Sequence, residues 1–194
     1  MLSETELRIL AAFFPEASER TTKEIEDRSG YSHERVYSTL NALEERDLLT
    51  KKKVGKTLVY AISEFNDAIY LAFAYYSLNK KDRFIQKYPS LRTLLEEFIN
   101  KTRSDLVILF GSYSKGEAKE RSDVDILCVG GIDPEKTALS LRHKYDKRIT
   151  PVIVKKEDFR NIKQENPELW QDLVNFGIIM KGQELFYEFV WRVK

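Results

Sequence analysis

The chain has 194 residues, 42% of them hydrophobic, which allows one or two domains with a real core. Its formal net charge of +1 neither supports nor excludes a nucleic-acid partner, so the placement of the bases must decide. No apolar run approaches the roughly 20 residues that span a bilayer, and one cysteine excludes an intramolecular disulfide. The opening MLSETELRIL carries acids where a secretory leader has bases, so a reducing cytoplasm is the expected location. Cys128 stands among apolar residues and is expected in the core.

Residues 3–14 read as a helix. Ser3 and Glu6 have capping-box spacing, Leu7, Ile9, Leu10, Phe13 and Phe14 form an apolar face, and Pro15 ends the run. Thr21 or Thr22 then caps a short helix closed by Gly30. Ser32 caps a third, HERVYSTLNALEERDLL, whose Val36, Leu40 and Leu43 fall on one stripe. LLTKKKVGKTLVYAIS alternates like two strands around Gly55, with Lys51, Lys52, Lys53 and Lys56 at the tip. Short helix, tight turn, longer helix and basic hairpin together resemble a winged helix-turn-helix over residues 1–64.

That resemblance implies DNA as a partner. Arg35, Ser38, Thr39 and Asn41 would read base edges from the third helix, and the four lysines would meet phosphate. The bland alternatives are an exposed helix face and a solvated hairpin tip. The acids Glu4, Glu16, Glu19, Glu24, Glu26, Glu44 and Glu45 keep this region from being strongly basic.

Residues 65–90 read as a helical connector. Ile69, Ala72, Phe73 and Tyr76 make one stripe, and Leu71, Tyr75 and Leu78 a second on another face. A helix apolar on two faces is buried on both, between domains or against a second copy, so a homodimer is expected. From Asp105 the pattern alternates strand and helix: LVILF, Asp123–Val129, a helix over 134–147, ITPVIV, a helix ended by Gly177, and a last IIMKGQELFYEFVWRV. This is an α/β sheet region over 91–194, so the whole chain is α+β. His143 is expected at the surface, and Trp170 and Trp191 in the core.

The stretch LFGSYSKGEAKERSDVDILCV carries the chemistry. Residues i and i+2 of a strand share a face, so Asp123 and Asp125 project together while Val124 enters the core. Two such carboxylates repel unless a divalent cation lies between them, and hard oxygen ligands suit Mg²⁺ held by one or two carboxylates plus phosphates. Gly111-Ser112, directly after a strand, suits close approach to a phosphate, with Lys115, Lys119 and Arg121 to neutralise it.

An apolar strand, Gly-Ser, a spacer of about ten residues and Asp-x-Asp in a second strand closely resemble the signature of the nucleotidyltransferase superfamily that includes DNA polymerase β. In particular, the stretch looks like the minimal nucleotidyltransferases of archaea and bacteria. The resemblance implies a mixed sheet, Mg²⁺ or Mn²⁺, ATP or another nucleoside triphosphate as donor, and a protein or nucleic-acid acceptor. Asp123 and Asp125 would be the catalytic metal ligands, and Gly111, Ser112, Lys115 and Arg121 would hold the nucleotide. One departure stands out: active members carry a third carboxylate on a later strand, where this chain has Thr150. The leading reading is an Mg-dependent nucleotidyltransferase with a DNA-binding winged helix. Its rival is a DNA-binding regulator whose nucleotidyltransferase-like domain binds nucleotide or mediates interactions without efficient catalysis.

Overall fold

The structure, a computed structural model, describes residues 1–14 and 18–192, with side chains as far as Val190. The helix stop expected at Pro15, the acid Glu16 and the side chain of Trp191 therefore lie outside the described residues. The chain divides into two compact units, residues 1–76 with 190–192, and residues 77–189.

The first unit holds α1 (Glu4–Ala11), β1 (Arg20–Thr21), α2 (Thr22–Ser29), α3 (His33–Glu45), β2 (Leu49–Val54) and β3 (Thr57–Ile62). Both capping boxes form. Glu6 accepts the Ser3 N–H at 2.7 Å and Glu24 accepts the Thr21 N–H at 2.7 Å, while each cap hydroxyl accepts in return from the third residue of its helix. Losing such a cap costs about 1 kcal/mol. Gly30 closes α2 at φ +72°, in the left-handed region that a side chain disfavours. Val36, Leu40 and Leu43 of α3 are fully buried with Ile9, Leu10, Phe13 and Ile25, so one stripe of each helix feeds one small core. The expected hairpin pairs Leu49 with Ile62 through Val54 with Thr57. Sequence reading missed β1, two residues long, which adds to β3 and completes a three-stranded sheet of order β1-β3-β2.

Helix α4 (Asp67–Lys87) contains the boundary between the units. Ile69, Ala72 and Phe73 are buried as expected, and the Phe14 ring meets those of Phe73 and Tyr76. The second stripe is not covered: Leu71 and Leu78 remain about half exposed.

The second unit continues with α5 (Leu91–Thr102), β4 (Leu106–Phe110), α6 (Gly111–Lys115), β5 (Val124–Val129), α7 (Pro134–Tyr145) and β6 (Ile149–Val154). It ends with α8 (Lys156–Phe159), α9 (Ile162–Glu165), α10 (Pro167–Asn175), β7 (Ile178–Lys181) and α11 (Gln183–Arg192), whose last residues count with the first unit. The sheet is mixed, of order β6-β5-β4-β7, with only β5 and β6 parallel. The alternation of the strands sorts their residues between two faces. Val107, Leu109, Val124, Ile126 and Cys128 pack with Leu91, Leu94, Leu95 and Phe98 of α5 and Leu141 of α7. Asp125 and Leu127 point the other way. In α10 and α11, Trp170, Leu173, Phe186 and Phe189 are buried, and the Phe159 ring meets those of Trp170 and Phe189. Cys128 is fully buried, and burial pushes its thiol up to about 11, which makes it a core residue with no thiolate chemistry near neutral pH. His143 is exposed and Trp170 buried, as read from the sequence.

Candidate functional site

Strand β4 delivers the chain to Gly111, which turns at φ +68° into the single turn of α6. The stretch that the sequence offered only as a spacer thus opens with a short helix. Its direction is set by close packing, because a Cβ added at Gly111 would overlap the Asp125 carboxylate, whose Cγ lies 3.1 Å away. The glycine therefore brings the backbone of the Gly-Ser turn against one aspartate of the pair. Ser112 is half-buried, and its carbonyl accepts the Glu117 N–H at 2.9 Å, which folds the following loop back on α6.

Asp125 lies within β5, opposite Phe110 of β4 on one side and Thr150 of β6 on the other. Asp123 is not in the strand, contrary to the expected Asp123–Val129; it stands just before it, and Arg148 approaches its carboxylate at 3.5 Å. The two acids remain electrostatic neighbours. Burial first, then the charges of Asp123 and Asp172, raise the Asp125 carboxyl above its ordinary value. The Thr150 position expected from the sequence is the observed one, and its hydroxyl is buried without a hydrogen-bond partner among the described residues. An orphaned hydroxyl on the residue opposite Asp125 is a polar surface unfinished by the protein itself.

The residues fit a divalent metal that arrives with phosphate. Asp123 and Asp125 offer hard oxygen donors, yet no group of three or more His, Cys, Asp or Glu among the described residues is arranged to hold a metal alone. That is the donor set of an ion completed by triphosphate oxygens and water, which is how Mg²⁺ is commonly bound.

The other expected nucleotide residues divide. Lys115, at the end of α6, is held by Asp172 of α10 at 2.6 Å, and its ammonium lies 5.4 Å from the Phe176 ring centroid. Arg121 is exposed in the loop before β5, as is Lys119. Asp172 is the residue that sequence reading missed: it lies on a helix far downstream, and only the tertiary fold brings its charge to Asp125. A cavity of about 310 Å³ on the α5 side, lined by Tyr88, Tyr113, Tyr145, Lys119 and Lys147, includes neither aspartate.

In the first unit, several residues expected to touch DNA are already engaged. Lys51 pairs with Glu44, and Lys52 with Glu19. Arg35 donates to the Thr5 hydroxyl at 3.0 Å and stacks over Tyr31, while the hydroxyls of Ser38 and Thr39 donate back to the Arg35 carbonyl. Asn41 is half-buried. Lys53 and Lys56 are exposed and have no ion pair among the described residues. Tyr37, not singled out from the sequence, is exposed on α3 with its ring stacked 6.2 Å from that of His33.

A mixed sheet in which a glycine turn meets an Asp-x-Asp pair at the start of a strand is the arrangement of a nucleotidyltransferase, and the helices with their basic hairpin are that of a winged helix-turn-helix. Comparisons with known proteins agree. The family described as "Nucleotidyltransferase domain" matches residues 91–182, and "Sugar-specific transcriptional regulator TrmB" matches residues 2–66. Two Methanocaldococcus jannaschii proteins, both provisionally named protein adenylyltransferases, are similar. MJ1305 is 32% identical over 120 residues, covering 54% of this chain and 81% of that protein; for MJ1547 the identity is 37% over 95 residues, covering 44% and 68%. A solved structure titled "Crystal structure of the toxin-antitoxin with AMP-PNP" overlaps 58% of this chain and 82% of its own, at 23% identity and a TM-score of 0.33. The chain belongs to the nucleotidyltransferase-domain family, and the winged helix ahead of that domain lies in the stretch that matches the TrmB model. Membership implies a nucleoside triphosphate and a divalent metal ion.

Proposed function

We propose that the chain transfers a nucleotidyl group, AMP by analogy with the names of its relatives, from Mg²⁺-bound triphosphate to a hydroxyl of a protein or nucleic-acid acceptor. The close approach of Gly111 to Asp125 carries this reading, because it sets a phosphate-accommodating turn beside the carboxylates. Asp123 and Asp125 hold the metal, Gly111 and Ser112 admit the triphosphate, and Lys115 and Arg121 offset its charge. When bound, the metal polarises the α-phosphate toward the attacking hydroxyl. The acceptor hydroxyl gives its proton to solvent water as its oxygen bonds to the α-phosphorus, the bond from that phosphorus to the bridging oxygen breaks, and pyrophosphate leaves. Incubation with α-labelled nucleoside triphosphates, Mg²⁺ and candidate acceptors tests this: label retained on a macromolecule is expected, and its absence from every acceptor while nucleotide still binds would reject transfer. Thr150 opposite Asp125 favours the second reading, a nucleotide-sensing regulator without efficient catalysis, which that negative outcome would select.

The transferase domain is taken as residues 91–194, with 65–90 as connector and 1–64 as the DNA-contacting winged helix, in a cytoplasmic protein. Of the basic residues at the hairpin tip, Lys53 and Lys56 are available to phosphate, whereas Lys51 and Lys52 must first leave acids. Replacing Lys53 and Lys56 with alanine should reduce the salt slope of duplex binding by about 0.9 per lost contact. Replacing Lys51 and Lys52 should change it less. An unchanged slope in the first variant rejects the wing as a DNA contact. The exposed Leu71 and Leu78 support pairing of two copies through α4, as winged-helix regulators pair on two half-sites. A light-scattering mass that stays near 22.8 kDa on concentrating the sample would reject the dimer.

A further inference from the structure

The three acids around the Gly-Ser turn are not equivalent. Asp123 faces Arg148 at 3.5 Å, and Asp172 faces Lys115 at 2.6 Å, whereas Asp125 has no ion pair among the described residues. The Lys115–Asp172 pair joins the last residue of α6 to α10, and both side chains are partly buried, at 32% and 19% exposure. Lys115 lies on the same single helical turn as Gly111 and Ser112, so the cation that a triphosphate would meet there is already matched by a carboxylate. A metal-bound triphosphate carries more negative charge than one aspartate and offers several oxygens to an ammonium, which binds as a flexible point charge.

We propose that Asp172 is a positioning residue that competes with nucleotide for Lys115. In the nucleotide-free chain it holds the lysine against α10, and on binding the ammonium exchanges that carboxylate for phosphate oxygen. This rests on the nucleotidyltransferase reading. Asp172 then makes no contact that favours the nucleotide; it sets the affinity by what the triphosphate must displace. The exchange leaves Asp172 as an unpaired acid whose charge reaches Asp125.

Calorimetry with Mg²⁺ and α,β-methylene-ATP, whose α–β bridge cannot be cleaved, reads this directly on the full chain. Asp172→Asn should tighten binding several-fold, Lys115→Met should weaken it, and Asp172→Asn in the Lys115→Met background should change it little. Melting temperatures confirm that each variant folds, and Asp172→Ser replaces Asp172→Asn if the amide does not fold. Weaker or unchanged binding by Asp172→Asn overturns the proposal, the first outcome marking a metal ligand and the second a purely structural ion pair. Equal tightening with and without Lys115 overturns it too, since general charge repulsion then explains the effect. If the unmodified chain binds no better than Asp125→Asn, the nucleotidyltransferase reading itself fails, a result distinct from any of these.

Discussion

Asp125→Asn should abolish metal-dependent nucleotide binding and transfer while making the folded chain more stable. The loss follows from the site's economy of donors. With only two acids to hold the ion, removing one leaves a single carboxylate, and metal stabilisation of several kcal/mol corresponds to a loss on the order of 100-fold or more. The gain follows from the raised Asp125 carboxyl, whose ionised form is disfavoured by burial, by Asp123 and by Asp172. For a carboxyl raised on folding the sign is fixed: the charge costs stability at every pH above the folded value, and protonation relieves the cost as pH falls through it. An uncharged amide removes that cost, so thermal unfolding at neutral pH, without metal, should move to higher temperature. Equal nucleotide affinity in calorimetry would sink the site, and a lower melting temperature would show that Asp125 supports the fold.

Gly111→Ala should be nearly as damaging to function, for a different reason. The position has φ +68°, which costs an L-residue roughly 1–2 kcal/mol, and the new methyl would overlap the Asp125 carboxylate. Either the turn or the aspartate must move. A displacement of about 1 Å is enough to cost roughly 100-fold in a positioned reaction. Calorimetry and initial rates should both fall, with the melting temperature reduced. Unchanged binding by a folded Gly111→Ala protein would mean that the turn does not line the nucleotide site.

These two residues were legible before the fold because their requirements are local. A glycine after an apolar strand and two acids two residues apart keep their meaning in any sheet that buries the intervening valine. Thr150 was also placed correctly opposite Asp125, since ITPVIV is short and apolar enough to admit few registers. The Ser3–Glu6 capping box and the Gly55 turn were read for the same reason: their partners lie within a few residues. What escaped depends on contacts between distant segments. Asp172 looks like an ordinary polar position of an amphipathic helix until α10 is laid near β5. Lys51 and Lys52 look free until Glu44 and Glu19 reach them, one from the preceding helix and one from far upstream. Asp123 lay outside β5 because strand ends are fixed by ladder pairing, which spacing alone does not reveal.

The outermost position of β6 in its sheet bears on how the protein behaves when crowded. A rim strand offers a row of unsatisfied amides on which a strand from another molecule can zip, the first step toward stacked aggregates. Pro151 interrupts that row: it has no amide hydrogen to give, and its ring fixes the local dihedral. Val152, Ile153 and Val154, which would otherwise make an adhesive segment with Ile149, are thereby kept from templating a neighbour. The strand that aligns Thr150 with Asp125 thus carries its own gatekeeper one residue later, and the chain can keep an apolar strand at its rim without trading solubility for it.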